Sequence, residues 1–124
     1  MRQMKKILVI DDEPDVGELM RLFLEVLGYD ADIFLSCEDS LKAIENNKYW
    51  AVFCDYMMPG ITGDKLFKTV RAVDSELAKR FIIITGAVLD ERLSNFLDVE
   101  AVRVINKPFR FEDIRNVLME VEAD

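Results

Sequence analysis

Short apolar runs alternate with stretches of helical period along the whole chain. The runs are Ile7–Ile10, Ala31–Phe34, Ala51–Cys54, Phe81–Ile84 and Val102–Ile105. Three are almost free of polar residues, as expected for parallel strands covered on both faces. The run "ADIF" carries Asp32 and "VRVI" carries Arg103, which places these two at the sheet edges. Between the runs, apolar residues recur at helical spacing. Val16, Leu19, Met20, Phe23, Leu24 and Leu27 form one such stripe. Pro14 suits its first turn and Gly28 its end. Ser36 with Asp39 predicts the cap of a second helix reaching about Asn46. A third helix spans Gly63–Ala72, with Leu66, Phe67 and Val70 inward. A fourth is expected over Leu89–Leu97. Ile114, Val117, Leu118 and Val121 give the inner stripe of a fifth.

Five strands alternating with five helices predict an α/β fold with a parallel sheet. At 124 residues, a doubly wound (βα)5 three-layer sandwich is favoured over a barrel. The length suits a single domain spanning residues 1–124. Apolar residues make up 51% of the chain, enough for one packed core. There is no internal repeat, and no apolar run approaches a membrane span. The opening "MRQMKKILVIDDE" is too briefly apolar for a signal peptide, and it reads as a natural start. A cytoplasmic location is the resulting expectation.

Charge and composition then narrow the chemistry. The net charge is −8, with the basic residues scattered, which argues against a nucleic-acid surface. Cys37 and Cys54 lack metal or redox spacing and are read as small buried core residues. The chain has no histidine. Histidine-based acid–base catalysis, Ser-His or Cys-His nucleophiles and histidine metal sites are therefore excluded. What remains is carboxylates, hydroxyls, lysines and bound cations.

In open parallel sheets, function lies beyond the carboxyl ends of the strands, where strand order reverses. The first run ends in Asp11-Asp12, the third in Asp55 and the fourth in Thr85. The fifth is followed by Lys107-Pro108, whereas the second ends in Leu35-Ser36 with nothing comparable. In the flavodoxin-like strand order 2-1-3-4-5, strands one and three are neighbours, and their aspartates would converge. Crowded carboxylates repel. A hard cation such as Mg²⁺, with Mn²⁺ as a substitute, relieves that repulsion and keeps coordination positions open for a phosphoryl oxygen. Asp55 could then serve as a covalent nucleophile, with Lys107 stabilising phosphoryl charge and Thr85 donating a hydrogen bond. No P-loop or dinucleotide glycine motif occurs. Taken singly, each residue has a plainer reading: a turn-forming Asp, a Thr-Gly turn, a solvated Lys. Four of five strand ends carrying complementary chemistry outweigh it. Glu13 is assigned to the start of the first helix with Pro14, not to the cluster.

The segments "ILVIDDEPDV", "AVFCDYMMPGITG", "FIIITGA" and "INKPF" together resemble the receiver domain of two-component response regulators, the CheY-like fold. Thr85 lies 30 and Lys107 52 residues beyond Asp55, spacings that fit. The resemblance covers essentially the whole chain. It implies that Asp55 accepts a phosphoryl group from a histidine of a sensor kinase or phosphotransfer domain. Asp12 would ligate Mg²⁺ directly, Asp11 directly or through water, and Met57 through its backbone carbonyl. Lys107 would pair with phosphoryl oxygens, and Thr85 would turn toward them. The Lys107-Pro108 bond would be cis. Met57 and Ala87 would flank the path of the hydrolytic water and set phosphoryl lifetime by packing. Val104 stands where the family often has a switching aromatic, so the fourth helix and its loops are expected to carry the signal.

The resemblance also implies a partner surface, and possible homodimerisation, through the fourth helix, fifth strand and fifth helix. Catalysis would be limited to the chain's own phosphorylation and dephosphorylation, so it would not be an enzyme in the ordinary sense. No direct nucleic-acid or membrane contact is expected. The competing expectation is an interaction module of the same fold that phosphorylation does not switch. A phosphatase with an aspartyl-phosphate intermediate is disfavoured, because Met57 occupies the position of the second acid it needs.

Overall fold

The computed structural model describes residues 4–86 and 90–124. Its main sheet has five parallel strands: β1 (Lys6–Ile10), β2 (Asp30–Phe34), β3 (Ala51–Asp55), β6 (Phe81–Thr85) and β7 (Arg103–Asn106). Their spatial order is β2-β1-β3-β6-β7, so the two more polar strands are the edges. A two-stranded antiparallel ribbon, β4 (Met57–Met58) and β5 (Ile61–Thr62), follows β3. The helices are α1 (Pro14–Val26), α2 (Cys37–Asn46), α3 (Gly63–Val73), α4 (Ser75–Ala78), α5 (Glu91–Glu100) and α6 (Phe111–Ala123).

Alternate strand residues point to opposite faces, and two separate cores result. Leu8, Ile10, Val52, Cys54 and Ile83 pack under Ile44 of α2, Leu66 and Phe67 of α3, Leu77 of α4, and Leu93 and Phe96 of α5. Ile7, Val9, Phe53, Ile82, Ile84 and Ile105 pack under Met20 and Leu24 of α1 and Ile114, Val117, Leu118 and Val121 of α6. This is the three-layer sandwich predicted above. β1, β3 and β6 each feed both cores, which explains why they read as unbroken apolar runs.

Local signals set the element ends. Ser36 Oγ accepts a hydrogen bond from the Asp39 N–H at 3.2 Å, capping α2. Pro14 opens α1, and Gly28 follows it at φ 91°. Phe109 and Phe111 anchor the start of α6 by meeting Phe23 of α1 edge to face, with centroids 6.3 and 5.4 Å away. Cys37 and Cys54 are buried free thiols, as expected.

The structure differs from the sequence expectation at several places. Leu19 is 40% exposed, so it stands at the margin of the α1 stripe, not in it. The fifth strand begins one residue later than expected, at Arg103. The fourth helix runs on to Glu100, and Leu89, its expected start, lies outside the described residues. The four-residue α4 was not foreseen; Asp74 caps it by accepting from the Leu77 N–H at 3.1 Å. The β4–β5 ribbon was also missed. It turns at Pro59-Gly60, with Gly60 at φ 85°.

Gly63 matters for the site because it opens α3 directly above the end of β3. A Cβ there would lie 2.8 Å from Ile83 Cδ1 and 3.2 Å from the Tyr56 Cα. The Ile83 methyl would have to shift within a fully buried core, and the Tyr56 backbone would have to give as well. Gly63→Ala should therefore cost about 1–3 kcal/mol by overpacking, against a smaller gain in helix propensity. Urea unfolding checks this; an unchanged or raised midpoint would contradict it.

Candidate functional site

The sheet register builds the site. β1 and β3 pair from Ile7 with Ala51 to Ile10 with Cys54, so the next residues on the two strands are Asp11 and Asp55. On the other side, Asp55 pairs with Ile84, and Thr85 pairs with Asn106. The Lys107 N–H donates to the Thr85 carbonyl at 2.8 Å, which carries Lys107 to the same edge. The Lys107–Pro108 peptide is cis, as expected.

The Lys107 Nζ lies 3.0 Å from Asp11 Oδ2, 3.2 Å from Asp55 Oδ2 and 3.2 Å from Glu13 Oε1. Asp11 is fully buried, Asp55 is 6% exposed and Thr85 is 1% exposed. Asp12 faces solvent. The chain turns at once after β1, because Asp11 Oδ1 accepts the Glu13 N–H at 2.9 Å. That turn swings the Glu13 side chain over Lys107. Glu13 therefore joins the cluster while also preceding α1, which corrects its assignment to the helix start alone. The Asp-Asp-Glu sequence held this signal, but only the Asp11 turn directs Glu13 back.

Carboxylate oxygens of Asp11, Asp12, Glu13 and Asp55 all lie within 4.8 Å of one another. Four carboxylates thus gather at one place, and the Lys107 ammonium pairs with three of them. Burial raises the Asp55 carboxyl pKa above its ordinary range, and the charge of Asp11 adds to it. Lys107 and the Met57 N–H, 3.4 Å from Asp55 Oδ1, pull it back without cancelling the rise. Burial opposes the charge on Lys107, but Asp11 and Asp55 outweigh it and raise the ammonium pKa, so Lys107 is cationic at neutral pH.

The donor set fits a hard divalent cation. Every available group is an oxygen, and Asp11 Oδ2 is buried without accepting a hydrogen bond although the ammonium is near. Asp11, Asp12 and Asp55 are the residues that would hold such an ion. Met57 is 61% exposed, leaving its side chain outside the cluster. Val104, on edge strand β7, is 36% exposed. Ala87, expected beside the water path, lies outside the described residues.

Residues 7–119 match the response regulator receiver domain family. The chain belongs to that family. Among curated relatives of this receiver is the transcriptional regulatory protein RprY of Bacteroides fragilis. It is 32% identical over 114 residues, covering 92% of this chain and 48% of RprY. The chain thus spans about half the length of the curated relatives it matches. A CheY-like receiver domain from Methylobacillus flagellatus superposes with a TM-score of 0.81 at 26% identity, covering 96% of this chain and 99% of that one. TrrA of Thermotoga maritima, solved in complex with Mg(2+)-BeF, gives a TM-score of 0.81 at 28% identity, covering 95% and 99%. Among the described residues, no helix is long and apolar enough to cross a membrane.

The raised Asp55 pKa has a sign that can be tested. Between the ordinary and the raised value, the folded receiver holds more protons than the unfolded chain. Stability contributed by this group therefore falls as pH rises through that window. Asp55→Asn removes the loss. Without divalent cations, its urea midpoint should exceed wild type at pH 7, and the gap should narrow as pH falls toward 4. A lower midpoint at pH 7 would contradict the burial-and-repulsion account.

Proposed function

We propose that residues 1–124 act as one phosphorylation-switched receiver of two-component signalling, with Asp55 as the phosphoacceptor. The observation that carries this reading is the placement of Lys107 within 3.2 Å of a buried Asp55 whose other charged neighbours are carboxylates. A group so crowded by negative charge is ready to accept a bond that compensating cations stabilise.

An Asp55 carboxylate oxygen attacks the phosphorus of a phosphohistidine on a sensor kinase or phosphotransfer domain. The O–P bond forms as the P–N bond breaks, and the electron pair returns to the imidazole nitrogen, which takes up a proton. The Lys107 ammonium faces the transferred oxygens and moves from Asp55 toward them. Thr85, buried at the end of β6, is the hydroxyl at that edge. Mg²⁺, held by Asp11, Asp12, Asp55 and the Met57 carbonyl, supplies charge neutralisation when bound, and Mn²⁺ can replace it. The Mg(2+)-BeF complex of TrrA supports that assignment. Met57 and Ala87 set phosphoryl lifetime by packing, since neither side chain can orient water by hydrogen bonding.

The acceptor turns over no free substrate beyond its own phosphoryl group. Its output passes to an effector through α5, β7 and α6, a face that also suits self-association. Transcriptional regulation is the activity named for relatives such as RprY, and it supports an effector of that kind.

Incubation with a small phosphodonor and Mg²⁺, followed by intact mass measurement, tests the reading. One added phosphoryl group in wild type, absent in Asp55→Ala, is the expected result. No adduct in wild type would favour an unswitched interaction module, and rapid multiple turnover of the donor would favour a phosphatase.

A further inference from the structure

Helices α3 and α5 meet along a seam that has an ion pair at each end. In its middle, Phe67 and Phe96 pack edge to face with centroids 5.4 Å apart. At the far end, Arg71 of α3 pairs with Glu100 of α5, and its guanidinium lies 5.2 Å from the centre of the Phe67 ring. At the near end, Arg92 in the first turn of α5 pairs with Asp64 in the first turn of α3. Its Nε donates to Asp64 Oδ2 at 3.1 Å, and its Nη2 lies 3.0 Å from the same oxygen. Nη2 also donates to Thr62 Oγ1 at 3.3 Å.

The two ends are not equivalent. Both arginines are about half-exposed, and the difference lies in the carboxylates: the Asp64 side chain is 8% exposed and that of Glu100 20%. A buried carboxylate that loses its cation is left uncompensated, so such a contact is kept or broken as a unit. Burial raises the Asp64 pKa, but Thr62 and Arg92 outweigh it and leave the group below its ordinary value and charged. Glu100, with more of its carboxylate in water, loses less when its arginine leaves.

Position gives the near-end pair its consequence. Thr62 ends the ribbon that leaves β3, Gly63 and Asp64 follow it, and the Gly63 N–H donates to the Tyr56 carbonyl at 2.8 Å. Arg92 stands in the first turn of the helix that follows β6. The contact therefore bridges the two chain segments leaving Asp55 and Thr85. Val104 offers no ring to bury or expose, so a readout through an aromatic at that position is not available here.

We propose that the Arg92–Asp64 ion pair is a latch that couples the position of α5 on α3 to the state of the Asp55–Thr85 edge. The latch rests on the phosphoacceptor reading of Asp55. A change in either segment that separates the pair releases the near end of α5, which then pivots about the Phe67–Phe96 contact.

Beryllofluoride with Mg²⁺ serves as the probe, since it mimics a phosphoryl group on a carboxylate. Bound adduct is followed by fluorine NMR, and amide exchange is followed across residues 91–100. In wild type, adduct formation should change α5 exchange by about threefold or more, strongest in its first turn. In Arg92→Gln and Asp64→Asn, first-turn exchange should rise without adduct and then stop responding to it. Glu100→Gln should respond as wild type does. Arg92 has a half-exposed side chain, so its variant keeps the test intact if Asp64→Asn folds poorly. An Arg92→Gln protein that binds adduct and responds as wild type overturns the latch while leaving Asp55 as acceptor. A wild type that binds no adduct overturns the acceptor reading and the latch with it.

Discussion

The carboxylates of Asp11 and Asp55 are held side by side by the hydrogen-bonded register of two buried strands, and neither can move away. Ile7–Ile10 and Ala51–Cys54 are fully covered by the two helical layers, so shifting either strand would expose core. The sheet thus imposes a repulsion that a flexible loop would relax. Lys107 relieves part of it from the next strand but one. Its ammonium is already shared among three carboxylates, which leaves the cluster short of positive charge. That shortage is the chemical basis of the site.

Much of this was legible because the strands carry their own punctuation. An apolar run ending in Asp-Asp, another ending in Asp and a third ending in Thr can be aligned once parallel order is inferred. The helical stripes fixed which faces turn inward. The misses share a physical cause. The β4–β5 ribbon and α4 are too short to show a period, and they are set by a glycine turn and an Asp74 cap. Glu13 was misplaced because its direction depends on the turn that Asp11 makes, not on its neighbours in sequence. Arg92 and Asp64 lie 28 residues apart, and no local pattern marks them as partners.

The two helical layers take different parts. On the α1 and α6 side, Phe23, Phe109 and Phe111 bind the helices in an aromatic cluster beneath the loop carrying Lys107, which favours a rigid lysine. On the other side, α5 is tied to α3 by one aromatic contact and two ion pairs. A domain that must change its surface when one small group is added needs an element held by few contacts. By this measure α5 is that element.

Carboxylate crowding at the strand ends limits folding stability, and a divalent cation relieves it. The direct measurement is the urea midpoint of wild type against Mg²⁺ concentration, with NaCl at matched ionic strength as the reference. Specific binding to the folded state predicts a steady rise in Mg²⁺ beyond that in NaCl, following the linkage relation, and a smaller rise in Asp11→Asn. Equal midpoints in the two salts would contradict the account.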